Sequence, residues 1–320
     1  MQGSKILSVI NPILARRVPG FFSRYPAAIS VAAISVENAV RRVGSQACEP
    51  NSREQRRALI RHSNPHGDPF AICHCSADPE RLVLLASIIE VMWIHDDVTE
   101  ELDHITACHE HGKLSEVLHV QIDPEAYQPE NDRQGALARL LRKAVDLDPG
   151  QAPKMVETLQ SYLATFDSRD DDFDHMDEYM PYRIGNCGYW ISSYFIRWGM
   201  GMTLSAADYE SIRQYDTAMG NVLGLTNDYF SWNVEKDQPT DRIRNAVRVL
   251  MKQYKVTWKA AKDMLLGMII EEEARAARLK ERRLMQPVSE EIATYFEAIE
   301  LYVGGSCYWH ATAPRYQVIE

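Results

Sequence analysis

Cysteine is scarce in this chain: Cys48, Cys73, Cys75, Cys108, Cys187 and Cys307 are the only six among 320 residues. So low a density excludes a disulfide scaffold and suits a reducing compartment. Zinc-finger spacing is missing as well. "CHC" at 73–75 and "HITACHEHG" from His104 lack a C-x-x-C or H-x3-H partner, which argues against a structural zinc site. Basic residues are in deficit, 35 Lys and Arg against 45 Asp and Glu, a formal net charge of −10. Nucleic-acid binders normally carry a basic face, so no nucleic-acid partner is expected. An acidic chain can hold a polyanion only by grouping its cations locally or by placing metal ions between carboxylates and phosphates. An apolar run of membrane-spanning length is absent too, since "AAISVAAISV" from Ala27 is too short, and no stable membrane insertion is expected. Residues 1–36 hold no Asp or Glu and carry Lys5, Arg16, Arg17 and Arg24, in the manner of a transit peptide. Pro12, Pro19 and Pro26 would interrupt the helix that such a signal needs, and a cytoplasmic location is expected.

What the chain does contain is helical pattern. "PERLVLLASIIEVMWIHDDVTEEL" from Pro79 opens with a proline suited to a first turn and runs on as an apolar helix, acidic only near its end. "GALARLLRKAVDL", "APKMVETLQSYLATF", "AADYESIRQYDTAMGNVLGLTNDYFSWNVE" and "TWKAAKDMLLGMIIEEEARAARLKERRLM" read the same way. Strand-like alternation is almost absent, and no repeat of 20–50 residues occurs. Interruptions at 119–135, at 236–242 and around Pro287 have loop length and do not look like interdomain linkers. One all-α domain of about ten helices is expected.

Two oxygen-rich stretches stand out. In "HDDVTEELD", Asp96 and Glu100 lie one turn apart with Asp97 beside them, near a helix C-terminus where like charges repel and the helix dipole disfavours anions. A bound cation would offset both penalties, although a solvated acidic helix end is the plainer reading of this stretch alone. In "NDYFSWNVEKD", Asn227, Ser231 and Glu235 recur at steps of four, about 5 to 6 Å apart on one helical face. One carboxylate and two neutral oxygens suit a hard cation such as Mg²⁺ that keeps several waters. Two oxygen sites imply a ligand between them. "DSRDDDFDH" from Asp167 holds more carboxylates but has no apolar helix leading into it, and reads as a solvated loop or cap.

"DDVTE" resembles the aspartate-rich motif, and "NDYFSWNVE" the N-D-x-x-S-x-x-x-E motif, of class I terpene synthases. Arg183 in "YMPYRIGNCGYW" resembles the family's diphosphate-sensing arginine, and Arg315 and Tyr316 in "WHATAPRY" its Arg-Tyr pair. "HDDVTE", "EYMPYR", "NAVRVLM" and "PRY" are similar to segments of the cyclase half of the fungal chimeric terpene synthases, the group of fusicoccadiene and ophiobolin F synthases. The likeness divides the chain into a cyclase domain over residues 68–320 and an N-terminal segment, 1–67, of uncertain role. Without the chimeras' prenyltransferase half, the chain is expected to be a stand-alone cyclase or an excised domain that receives its substrate from a prenyltransferase. A homo-oligomer stays open.

The resemblance implies a single-domain helical bundle with a central active-site cavity. It further implies three Mg²⁺ ions held by Asp96, Asp97 and Glu100 on one side and by Asn227, Ser231 and Glu235 on the other. Arg183, Arg315 and Tyr316 would then contact the diphosphate of a linear polyprenyl substrate, C15 or C20 favoured and C25 possible, which leaves as free diphosphate. Asn186 stands where the family usually has an aspartate; its amide can hydrogen-bond to Arg183 without charge. Lys236 follows Glu235, whereas the family's lysine precedes it, and two residues turn a helix by about 200°.

A carbocation needs a dry, polarisable chamber, and aromatic faces stabilise a cation by about 0.5 to 2 kcal/mol each. Phe70, Trp93, Tyr189, Trp190 and Trp309 are candidates from motif context, with ordinary core packing the alternative for each. The two glycines of "IGNCGYW" fit either a helix break that aims carbonyls near Cys187 into the pocket or close helix packing. A chain-elongating prenyltransferase and an inactive helical binding relative are the other readings. The first would carry a second aspartate-rich motif, and the second a degenerate ladder.

Overall fold

In the computed structural model, residues 5–99, 102–119, 127–165, 172–236 and 244–317 are described. The fold is all-α apart from one small sheet. Near the N-terminus β1 (Ile10–Ile13) pairs antiparallel with β2 (Ala27–Ser30), a sheet the sequence pattern does not announce because each strand is only four residues long. The helices α1 (Ala33–Ala47), α2 (Arg53–Arg61) and α3 (Pro69–Cys73) follow, then α4 (Pro79–Thr99), α5 (His104–His119), α6 (Asp132–Leu147) and α7 (Ala152–Leu163). The second half comprises α8 (Met176–Asn186), α9 (Tyr189–Gly199), α10 (Ala206–Glu235), α11 (Ala246–Tyr254), α12 (Trp258–Leu284) and α13 (Glu290–Thr312). The long helices fall where the apolar periodicity places them, and short α2, α3 and α11 raise the number above ten.

Caps explain several of the boundaries. Ser205, Thr257 and Ser289 each accept a hydrogen bond from the backbone N–H three residues on, starting α10, α12 and α13. Asp68 caps α3 through the N–H groups of Phe70 and Ala71. α4 is apolar all round, as its burial on nearly every face requires. It packs against α1 and α6, whereas α10 packs against α12 and α13.

The helix break expected at "IGNCGYW" is present, and Gly188 is closely packed, a Cβ there lying 3.0 Å from the Tyr162 ring. Helix α8 stops at Asn186 and α9 starts at Tyr189, with Gly188 left-handed at φ +76°. The break also lies close against α10. A Cβ on Gly220 would sit 2.6 Å from Ile184 Cγ1, and one on Gly224 would sit 3.2 Å from Arg183 Cγ and 3.3 Å from Cys187 Sγ. Two glycines one turn apart therefore let Arg183 and Cys187 settle beside the helix that carries the ladder.

Candidate active site

The ladder occupies the C-terminal end of α10. Glu235 closes the helix, and Asn245, the N-cap of α11, reaches back to it. The Asn245 Oδ1 accepts from Val247 N at 2.8 Å, while its Nδ2 lies 2.9 Å from Glu235 Oε2, 3.2 Å from Ser231 Oγ and 3.0 Å from the Asp228 carbonyl. One amide thus orients two rungs. Burial pushes the Glu235 carboxyl up, Asp228 adds to that, and the Asn245 amide works against it.

Arg183 meets the third rung. Its Nη2 donates to Asn227 Oδ1 at 2.6 Å and lies 2.8 Å from Asp228 Oδ1, and its Nη1 donates to Asn186 Oδ1 at 2.7 Å. The uncharged Asn186 therefore still holds the arginine. Asp228 is fully buried, and its Oδ2 accepts from Tyr179 Oη at 2.7 Å and from Ala246 N at 3.0 Å. Burial pushes the Asp228 carboxyl up, against the pull of Arg183 and Tyr179. Burial likewise opposes the Arg183 charge, but Asp228, Tyr179, Cys187 and Glu235 together outweigh it and hold the guanidinium well above its ordinary value. At 2.8 Å from a guanidinium that does not lose its proton, the carboxylate stays ionised near neutral pH.

A second amide partner comes from α13. His310 Nε2 lies 3.1 Å from Asn227 Nδ2, and its Nδ1 lies 2.7 Å from the Ser306 carbonyl. Burial lowers its pKa to about 4, so the ring is neutral at physiological pH. Tyr316 stacks on His310 at 5.1 Å, Trp309 meets both rings edge-on, and the Arg315 guanidinium lies 5.1 Å over the Tyr316 ring. The C-terminal Arg-Tyr pair is thereby joined to the ladder through one histidine.

On α4, Asp96 is exposed and Asp97 is buried. Asp97 as an expected metal ligand meets a different partner here. Its Oδ2 lies 2.8 Å from Arg61 Nη2 and its Oδ1 3.5 Å from Arg57 Nε, because one residue turns the helix by about 100° and aims Asp97 at α2. Glu100 lies outside the described residues. Tyr162 and Tyr182 sit within electrostatic reach of both Asp96 and Arg183. Burial raises each phenol, Asp96 raises it further, and Arg183 lowers it.

The aromatic candidates divide. Phe70 stacks on Trp93 at 4.6 Å, and the Arg61 guanidinium lies 5.3 Å from the Trp93 centroid. Trp309 is buried beside the ladder's histidine, its Nε1 without a partner among the described atoms. Tyr189 is instead a core residue, fully buried with its hydroxyl on Asp216 at 2.6 Å, because α9 turns it toward the middle of α10. Trp190, 39% exposed, follows it on the outer side. Lys236 also departs from the expected diphosphate role, its ammonium lying 4.9 Å over Trp258 at the start of α12, as the 200° rotation implies. Of the acidic decoy, Asp172 and Asp174 pair with Lys252, and residues 167–171 lie outside the described ones. The crevice beside Arg183, lined also by Ile184, Gly220 and Asn221, leaves no room even for a water molecule, so it is not itself the expected chamber.

Sequence reading missed Asp228, Asn245 and His310. Asp228 stands inside the quoted motif but off the ladder face. Asn245 carries an N-cap signal before "AVRVLM", which gives its backbone role and not its reach to Glu235. His310 offered only its place beside Trp309.

The residues present fit a hard cation next to an anion. Asn227, Ser231 and Glu235 supply oxygen alone, and the buried Nε–H of Arg183 has no partner among the described atoms. No group of three or more His, Cys, Asp and Glu side chains suited to a metal occurs among the described residues, so a cation here depends on the neutral oxygens of Asn227 and Ser231. No helix among the described residues is long and apolar enough to cross a membrane.

Residues 87–275 match the terpene synthase family 2, C-terminal metal-binding family. Preasperterpenoid A synthase of Talaromyces verruculosus is 26% identical over 79% of this chain and 34% of its own length. Ophiobolin F synthase of Cochliobolus heterostrophus is 25% identical over 75% of the chain and 33% of its own length. The chain thus spans about a third of the curated relatives it matches. Aristolochene synthase from Penicillium roqueforti superposes with a TM-score of 0.77 at 19% identity, over 92% of this chain and 99% of that one, which shows a shared fold. The match covers more than half of the 320 residues and takes in both oxygen-bearing helices: the chain belongs to the terpene synthase family 2, whose C-terminal metal-binding region it carries.

Proposed function

We propose that the chain is a class I terpene cyclase that ionises a linear polyprenyl diphosphate and closes the resulting cation to a cyclic terpene, releasing diphosphate. The observation that carries this is the convergence of Asn227, Ser231 and Glu235 with Arg183 on one end of α10. Asn227, Ser231 and Glu235, with Asp96 opposite, would hold Mg²⁺, three ions in the family pattern. Bound Mg²⁺ would neutralise the charge of the leaving diphosphate.

The chain's own groups do the rest. Arg183 offers its free Nε–H to a phosphate oxygen, and Arg315 and Tyr316 lie one histidine away from the ladder. A diphosphate reaching Arg183 draws the guanidinium from Asn227 Oδ1 and so frees a lone pair on that rung. Trp309, Trp93 and Phe70 provide faces that stabilise positive charge and exclude water. The substrate is C15, C20 or C25, and relatives named sesterterpene synthases keep the longest in play. A chain-elongating prenyl transfer must supply it.

Purified protein incubated with farnesyl, geranylgeranyl and geranylfarnesyl diphosphates, with Mg²⁺ or with EDTA, tests this by gas chromatography and mass spectrometry. A cyclic product that needs Mg²⁺ and is lost in Asn227→Ala and Glu235→Ala, with helical content kept, supports the reading. Linear diphosphate products, or turnover at wild-type rates in both variants, would overturn it.

A further inference from the structure

The Asn227 amide is held at both ends, and the chemistry of the holders fixes which end is which. Arginine has only donors, so the atom 2.6 Å from Arg183 Nη2 is the amide oxygen. The amide nitrogen then faces His310 Nε2 at 3.1 Å and needs an acceptor there. His310 can accept at Nε2 only if its proton is on Nδ1. That proton is placed by a separate contact, because Nδ1 lies 2.7 Å from the Ser306 carbonyl, which can only accept. The ring is also packed in place, stacked on Phe230 at 5.8 Å and on Tyr316 at 5.1 Å. A chain of three directed hydrogen bonds therefore runs from the α13 backbone through Asn227 of the ladder to Arg183.

We propose that His310 is a positioning residue for the metal site: it holds the Asn227 amide with its oxygen toward the ladder face and its nitrogen away from it. The inference rests on the reading of Asn227 as a metal ligand. A side-chain amide has two faces, and only the oxygen can ligate a hard cation. Without an acceptor on its far side the amide turns about its last bond, and the NH₂ group competes for the same place. Arg183 alone does not prevent this once a diphosphate draws it away. His310 remains to hold the orientation.

The test compares side chains that keep one contact and lose the other. Asparagine at 310 mimics Nδ1 and stops short of Asn227, whereas glutamine reaches the Nε2 position with an oxygen that accepts. Phenylalanine keeps both stacking contacts and accepts nothing. Binding of Mg²⁺ with inorganic pyrophosphate is measured by titration calorimetry on the full chain, alongside the urea midpoint of each variant. Loss of an outer-shell partner costs metal affinity about 10- to 100-fold. His310→Asn and His310→Phe are expected to show that loss, and His310→Gln to recover most of it. If His310→Phe does not fold, the Asn and Gln pair decides alone. Equal affinity in the Asn and Gln variants, or a lowered urea midpoint at wild-type affinity, would overturn the positioning role. Failure of the wild type to bind Mg²⁺ and pyrophosphate would instead remove the metal-site reading, and this inference with it.

Discussion

Replacing Asp228 with leucine isolates the interaction on which the position of Arg183 depends. The carboxylate is fully buried and answers three groups at once: Arg183 at 2.8 Å, Tyr179 Oη at 2.7 Å and Ala246 N at 3.0 Å. Removing one partner of a buried ion pair costs about 3–5 kcal/mol, because the other charge is left without compensation. Two buried donors lose their acceptor as well, each worth about 1–3 kcal/mol if it finds no other. These terms overlap, so a total near 5 kcal/mol is expected, against a stability of about 5–15 kcal/mol for a typical domain. Urea unfolding followed by circular dichroism reads this as a large drop in midpoint. The double variant Asp228→Leu/Arg183→Met supplies the diagnostic. Once the stranded cation is gone, the double variant is expected to be more stable than Asp228→Leu alone, a coupling between neighbours that a double-mutant cycle measures directly. An unchanged midpoint in Asp228→Leu, or a double variant whose losses simply add, would refute the buried pair.

Three further outcomes follow from other contacts. His62 sits between Asp68 at 2.6 Å and Glu90 at 2.8 Å; burial opposes its charge, but the two carboxylates outweigh it and push its pKa from 6.5 up to about 9. Its raised pKa means stability fully present below about pH 6.5 and lost as pH rises through about 9, at most about 3 kcal/mol, so the urea midpoint should fall across that window and fall less in His62→Gln. Parallel profiles would remove His62 from the account. A Cβ on Gly304 would enter the van der Waals shell of the Pro26 carbonyl oxygen and lie 2.9 Å from that of Tyr25. Backbone cannot yield as a side-chain tip does, so Gly304→Ala should destabilise by about 1–3 kcal/mol or more despite the roughly 1 kcal/mol that alanine gains in a helix; a midpoint equal to wild type would contradict the packing of the N-terminal segment on α13. Trp309→Ala should alter the product distribution of the proposed reaction more than its rate of diphosphate release, and an identical product profile would place Trp309 outside the chamber.

What could be read from the sequence, and what could not, separates along one physical line. The α10 boundaries, the ladder and the apolar run into "HDDVTE" depend on residues within a turn or two of each other, and a period of 3.6 records them. Asn245 beside Glu235 is ten residues off and already illegible, because a loop sets the distance. Asp97 is the sharper case. Its neighbour Asp96 has the same side chain on the same helix, and nothing local says that one is exposed while the other is buried against arginines 36 and 40 positions earlier. Those arginines, Arg61 and Arg57, come from the segment before residue 68, for which the sequence offered no role. Arg61 also reaches Glu90 at 3.3 Å, and His62 joins Glu90 to Asp68, so the segment buries two cationic side chains among three acidic ones along α3 and α4. A buried carboxylate needs such a partner. Two adjacent aspartates of one helix thus meet different surroundings: the N-terminal segment supplies the cations against which Asp97 is buried, while Asp96 stays exposed.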